Sequence, residues 1–144
     1  MSSEGTARED LERRVEAIEA GYEFMLAYAA QGLPGEGNSS SSQIREYLTR
    51  FEHALTGLAQ LFRSIVDGEG IASPSAHYPF LDVLERDAQS SQAAIQLVLA
   101  QPSISSQMVD NLNASIHVRA LLTDIFLLDE TLKGPPSGGT SLAT

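Results

Sequence analysis

Cysteine and tryptophan are absent from this 144-residue chain, and lysine occurs once, at Lys133. The missing thiol excludes a disulfide framework, a thiolate-bound metal, an iron–sulfur cluster and a cysteine nucleophile together. Bases are few, nine against 19 acids, for a formal charge of −10. The arginines are scattered rather than clustered, so the positive patch that a phosphate backbone requires is missing and nucleic acid is not an expected partner. No apolar run approaches the ~18 residues of a membrane-spanning helix, and no membrane partner is expected. The opening residues MSSEGTARED lack the basic-then-apolar order of a secretory signal, so the expected location is cytoplasmic.

Motifs that carry catalysis are missing too. No stretch fits the phosphate-binding patterns G-x-x-x-x-G-K-[ST] or G-x-G-x-x-G, or the nucleophile elbow G-x-S-x-G. Asp67-Gly-Glu-Gly70 supplies too few oxygen ligands for an EF-hand. A di-iron bundle needs Glu-x-x-His on two helices; the residues three before His53, His77 and His117 are Arg50, Pro74 and Ala114. His53 lies roughly 200° around a helix from Phe51 and so points away from a core stripe, which disfavours a haem ligand. It also has no lysine beside it, as a phosphotransfer histidine would. No metal and no cofactor are expected.

What the chain does contain is helical patterning. Apolar residues make up 42%, and the length suits one domain whose core needs no staple. Glycine, serine and proline concentrate at 32–42 and 67–79, with a further break at Pro102. The segment from Gly134 onward has too little apolar surface to pack. Between these breaks, apolar residues recur at alternating steps of three and four. The first stripe is Leu11, Val15, Ile18, Tyr22, Met25 and Ala29. The second is Ile44, Leu48, Phe51, Leu55, Leu58, Phe62 and Ile65. The third, Leu81, Leu84, Ala88, Ser91, Ile95 and Val98, is weaker. The fourth contains Met108, Leu112, Ile116, Leu121, Leu122, Ile125, Phe126 and Leu128.

End signals agree. Gly32 and Pro34 stop the first helix, Ser42 caps the second, and Pro79 fits the first turn of the third. Pro102 ends the third helix, Ser103 or Ser105 caps the fourth, and Lys133 with Gly134 and Pro135 closes it. The expected fold is an all-α, antiparallel up-down-up-down four-helix bundle at 1–133, with helices about 7–31, 43–67, 78–101 and 104–133 and a disordered tail at 134–144.

Two functional readings follow. Ala120 to Leu132 is apolar on more than one face, and a helix apolar nearly all round is buried on several sides. The first reading is therefore a non-enzymatic bundle that acts as an accessory, regulatory or assembly factor. It would bind a protein partner or itself, as a homodimer or hetero-complex, through Leu121, Ile125, Phe126, Leu128 and Leu132. Tyr78 and Phe80, beside His77, are second anchors. The alternative is a small-molecule- or cofactor-binding bundle with a polar middle. A hairpin about Pro102 places Asp87 near His117 and Glu85 near Arg119, with Tyr22 in reach, and a His–Asp contact orients a general base. Small residues there (Gly21, Gly57, Ala88, Ser90, Ser91) and polar ones (Asn111, Asn113, Ser115) allow either close helix approach or a pocket. On the first helix Glu9 is expected to pair with Arg13. Glu16, Glu19 and Glu23 form a solvated strip, a face for a basic partner, or pairs with Arg50 and Arg63.

Overall fold

The second apolar stripe runs without a miss, yet a glycine sits inside it. In the computed structural model of the chain Gly57 adopts φ 74°, ψ 12°, a left-handed conformation that costs roughly 1–2 kcal/mol for a residue with a Cβ. The structure describes residues 3–35 and 39–133, with side chains from 6 to 35 and from 43 to 133. Among these residues there are six α-helices and no strand: α1 (Ser3–Ala30), α2 (Ser39–Leu55), α3 (Leu58–Gly68), α4 (Pro74–Leu99), α5 (Ser106–Ala114) and α6 (Ile116–Lys133). The all-α class holds, but four expected helices are six. The second is divided at Gly57 and the fourth at Ser115, whose ψ of 129° lies outside the helical range.

Most expected ends are present. Gly32 follows α1 at φ 66°, and the Ser105 hydroxyl accepts from the Met108 amide at 3.0 Å as the cap of α5. The third expected helix starts earlier than its stripe suggested. Pro74, not Pro79, occupies the first turn, and Pro79 lies within α4. His77 and Tyr78 are therefore helical. The Ser42 cap and the 134–144 tail fall outside the described side chains and residues.

α1 packs against α2, α3 and α5, while α4 packs against α2, α3 and α6. All seven residues of the second stripe and all six of the third are buried. Neighbouring helices are joined through their ends. A helix leaves its last carbonyls without intrahelical donors, and arginines from other helices supply them here. Arg14 on α1 donates to Ala54 O at 3.2 Å and to Thr56 O, where α2 stops. Arg45 on α2 donates to Leu99 O at 2.9 Å and Gln101 O at 2.6 Å, where α4 stops. Arg8 on α1 donates to Leu132 O at 3.1 Å near the end of α6, and its guanidinium also pairs with Glu69 at 2.6 Å. At the opposite end of α1 the buried Tyr28 hydroxyl donates to Ile104 O at 2.6 Å, and Ser106 N donates to Leu33 O at 2.8 Å.

The expected Glu9–Arg13 pair is replaced. Arg13 and Arg14 both meet Asp10, at 3.9 and 3.1 Å. Arg50 pairs with Glu46 in its own helix and Arg63 with Asp82 at 4.0 Å, so neither reaches the acids of α1. Glu12, Glu16 and Glu19 instead line a groove with Asp129 and Lys133.

The close approach of α1 and α2 rests on Gly21. A Cβ there would stand 2.9 Å from Phe51 Cδ2 and 3.4 Å from Tyr47 O, and Phe51 is fully buried. Gly21→Ala is therefore expected to destabilise the protein by about 1–3 kcal/mol through overpacking, although alanine is the better helix former by about 1 kcal/mol. Urea unfolding followed by circular dichroism checks this; a more stable variant would show that the helices have room to part.

Candidate functional site

The polar middle of the bundle is arranged differently from the sequence expectation. Asp87 does not meet His117. Its partner is Asp124, seven residues further along, whose carboxyl lies close enough across α4 and α6 for a hydrogen bond once it is protonated. The break at Ser115 displaces the α4–α6 register from that of a simple hairpin, and His77 Nε2 lies 3.0 Å from Thr131 Oγ1 further along the same seam. His117 is exposed, and its backbone amide donates to Ser115 Oγ at 3.2 Å. Glu85 accepts from Gln89 at 2.7 Å rather than meeting Arg119. Arg119 is exposed and makes no ion pair among the described residues. Tyr22 is half-buried on α1, packed against the core, and no hydrogen bond joins it to Asp87 or Asp124. The five residues of the expected polar site are thus not brought together, and no described histidine is held against Asp87.

Asp124 itself is the unexpected feature. It is only 6% exposed, and its Oδ2 has no hydrogen-bond partner. Burial disfavours its charged form, and the bond to Asp87 and that residue's charge act in the same direction, so its carboxyl is pushed up to about 7. A proton on Asp124 lets the two carboxyls face each other across α4 and α6 without the repulsion of two like charges. Ser91 Oγ, one turn along α4 from Asp87, and both polar atoms of the Asn113 side chain are likewise buried without partners. Among the described residues no three His, Asp or Glu side chains gather as a metal set.

The apolar surface expected on the fourth helix also needs correction. Leu121, Ile125, Leu128 and Leu132 are buried within the chain, at 0, 1, 2 and 4% exposure, and form core rather than surface. Phe126 alone of the five is exposed, at 54%. Two residues not singled out for binding join it: Leu127 at 55% and Ile116 at 74%. Its spacing in the sequence assigns Ile116 to the core stripe. The non-helical Ser115 shifts the phase of the helix, so Val118 turns inward and Ile116 outward. Three of the five large exposed apolar side chains in the described chain thus lie on α6; Leu26 and Leu97 are single residues elsewhere.

Tyr78 is held rather than free. Its hydroxyl donates to Asp67 Oδ1 at 2.6 Å, the Arg63 guanidinium lies 4.9 Å from its ring centroid, and the bond to Asp67 raises its pKa above the usual phenol value. These contacts tie α3 to α4 across the 69–73 turn. Phe80 is half-buried and, with Ala76, His77, Leu127, Leu128 and Thr131, lines an apolar hollow of about 250 Å³ between α4 and α6. A second groove of about 560 Å³ lies at the other end of α6, bounded by Ala114, Ile116, Arg119, Ala120, Thr123 and Asp124. The outer side of α6 is therefore a face with a hollow at each end, Leu127 lining one and Ile116 the other, and Phe126 exposed between them. No described helix is long and apolar enough to cross a membrane.

The proton on Asp124 makes stability depend on pH. Unfolded Asp124 loses its proton near its ordinary value of 3.8, whereas folded Asp124 keeps it up to about 7. Between these values the folded state binds more protons, so stability falls as pH rises, by at most about 1.4 kcal/mol per pH unit, and levels off above about 7. Asp124→Asn keeps a neutral hydrogen-bonding side chain. Urea midpoints at pH 5 and pH 8 are expected to converge in this variant and to differ in the wild type. An identical pH slope in both proteins would remove Asp124 as its source. His117→Ala is expected to leave both midpoints unchanged.

No family model matches the chain, no curated protein matches its sequence, and no solved structure matches its fold, so the reading of the site rests on its own residues.

Proposed function

We propose that the chain is a single-domain protein-binding module, an accessory, regulatory or assembly factor rather than an enzyme, and that its docking surface is the outer face of α6. The observation that carries this reading is the exposure of Ile116, Phe126 and Leu127 on one helix. Scattered apolar side chains are ordinary on a protein surface, but three on one helix beside two hollows favour an interface. Phe80 joins the surface through the hollow it shares with Leu127. The six helices serve this role as four rods in up-down-up-down order, two of them broken. In support, Arg63 pairs with Asp82 whereas Gln92 bonds Glu52, so successive contacts run in opposite directions along α2–α3 and α4. The core packs behind α6 and leaves one side of it open.

The test is the solution mass of the full chain, measured alone and after pull-down from cells of its source. The wild type is expected to exceed the 15.5 kDa of one chain. Phe126→Asp and Leu127→Asp are expected to return it to that mass with an unchanged helical spectrum, because both side chains are already half in water. Leu128→Ala, one position on, is expected instead to cost about 2–5 kcal/mol of stability, as core truncations do. A wild type that stays at one chain's mass and retains no partner would overturn this function.

A further inference from the structure

The outer face of α6 is ordered along its length. Large apolar side chains stand at its first residue, Ile116, and in its second half, at Phe126 and Leu127. Small ones, Ala120 and Thr123, lie between them, where the groove of about 560 Å³ opens. The Thr123 hydroxyl donates to Arg119 O at 3.0 Å, which returns its polar atom to its own helix and leaves the methyl group for contact. Charge is ordered as well. Arg119 stands at the start of this face and Glu130 toward its end. They are eleven residues apart, close to three turns at about 3.6 residues per turn, so they lie along one line of the helix about 16 Å apart. Arg119 has no ion-pair partner among the described residues, and Glu130 has only a 3.9 Å contact with the exposed Lys133.

We infer that the occupant of this face is a second copy of the same chain, paired α6 to α6, antiparallel, about a two-fold axis level with Asp124 and Ile125, midway between Arg119 and Glu130. The inference rests on the reading of α6 as a docking face and adds its partner. A two-fold axis brings each site on the face to its counterpart reflected along the helix. Arg119 of one protomer then meets Glu130 of the other, twice over. Leu127 of each protomer enters the groove bounded by Ile116, Ala120 and Thr123 of the other, also twice. Parallel pairing would set Arg119 against Arg119 and large residues against large ones. The antiparallel copy matches charge and size together. The contact is confined to an 18-residue helix about 27 Å long and the α4 residues beside it, an interface of the weak, transient kind. The dimer is therefore expected to dissociate in the micromolar range.

Charge exchange tests the pairing. Both residues are on the surface, so folding is not at stake. Sedimentation velocity of the full chain from ~10 μM to ~1 mM is expected to show a rise from one to two chains. Arg119→Glu and Glu130→Arg are each expected to weaken self-association at least tenfold. A mixture of the two single variants is expected to form a heterodimer, and the double variant to regain self-association, because opposite charges then meet again. A wild type that stays monomeric throughout overturns the second copy as occupant but leaves α6 open to a different protein. A dimer lost in Leu127→Asp but indifferent to every charge exchange overturns the antiparallel pairing alone. A dimer that survives Leu127→Asp overturns both this inference and the assignment of the docking face.

Discussion

Three arginines donating to carbonyls at the ends of neighbouring helices are the contacts on which the rest of the structure depends. Short helices have many ends, and each end leaves carbonyls that must find donors. Arg14 and Arg8, both on α1, and Arg45 on α2 close the ends of α2, α6 and α4. Each bond is therefore both a cap and a tie between elements, and a guanidinium is suited to it because it presents several donors in a fixed fork. This use takes three of the nine bases of a base-poor chain. The scattering of arginines in the sequence, which first counted against a nucleic-acid surface, is the same fact seen from inside the fold.

Two breaks divide the helices, and they have different consequences. At Gly57 the stripe continues in phase, so all seven of its apolar residues remain in the core. At Ser115 the phase changes, so Ile116 leaves the core and Val118 enters it. The second break therefore creates the exposed end of α6, and it also sets which residue of α4 faces which residue of α6. Asp87 comes to lie against Asp124 through that register. A buried acid pair is tolerated because one carboxyl retains its proton and becomes a donor, which removes the repulsion of two like charges.

Much of the fold was legible in sequence because helix periodicity reports burial directly. Helix class, the Gly32 stop and the Ser105 cap all follow from local chemistry, and two stripes were complete. The candidate surface was legible only as an excess of apolar residues on the last helix. That excess was real, but composition cannot say which members face inward, and four of the five chosen residues belong to the core. Leu127 and Ile116 were recoverable only with the phase of α6 in hand. Tyr78 shows the converse. Its exposed position beside a proline resembled an anchor, while Asp67 and Arg63, remote from it in the reading of motifs, hold it in place.

The sequence by itself determined that this chain is helical, acidic and without the cysteine, phosphate-loop or elbow motifs that mark several kinds of catalysis. Those properties are local or additive, so they survive without knowledge of neighbours. Only the tertiary structure decided that Asp124 and not His117 answers Asp87, that three arginines serve as caps, and that the open face of α6 is Ile116, Phe126 and Leu127. Each of these depends on helix phase and on the register between helices. A single non-helical residue at 115 resets both; the spacing holds a trace of it in the stripe that restarts at Val118, Leu121, Ile125, Leu128 and Leu132 out of step with Ile116, but not the register against α4.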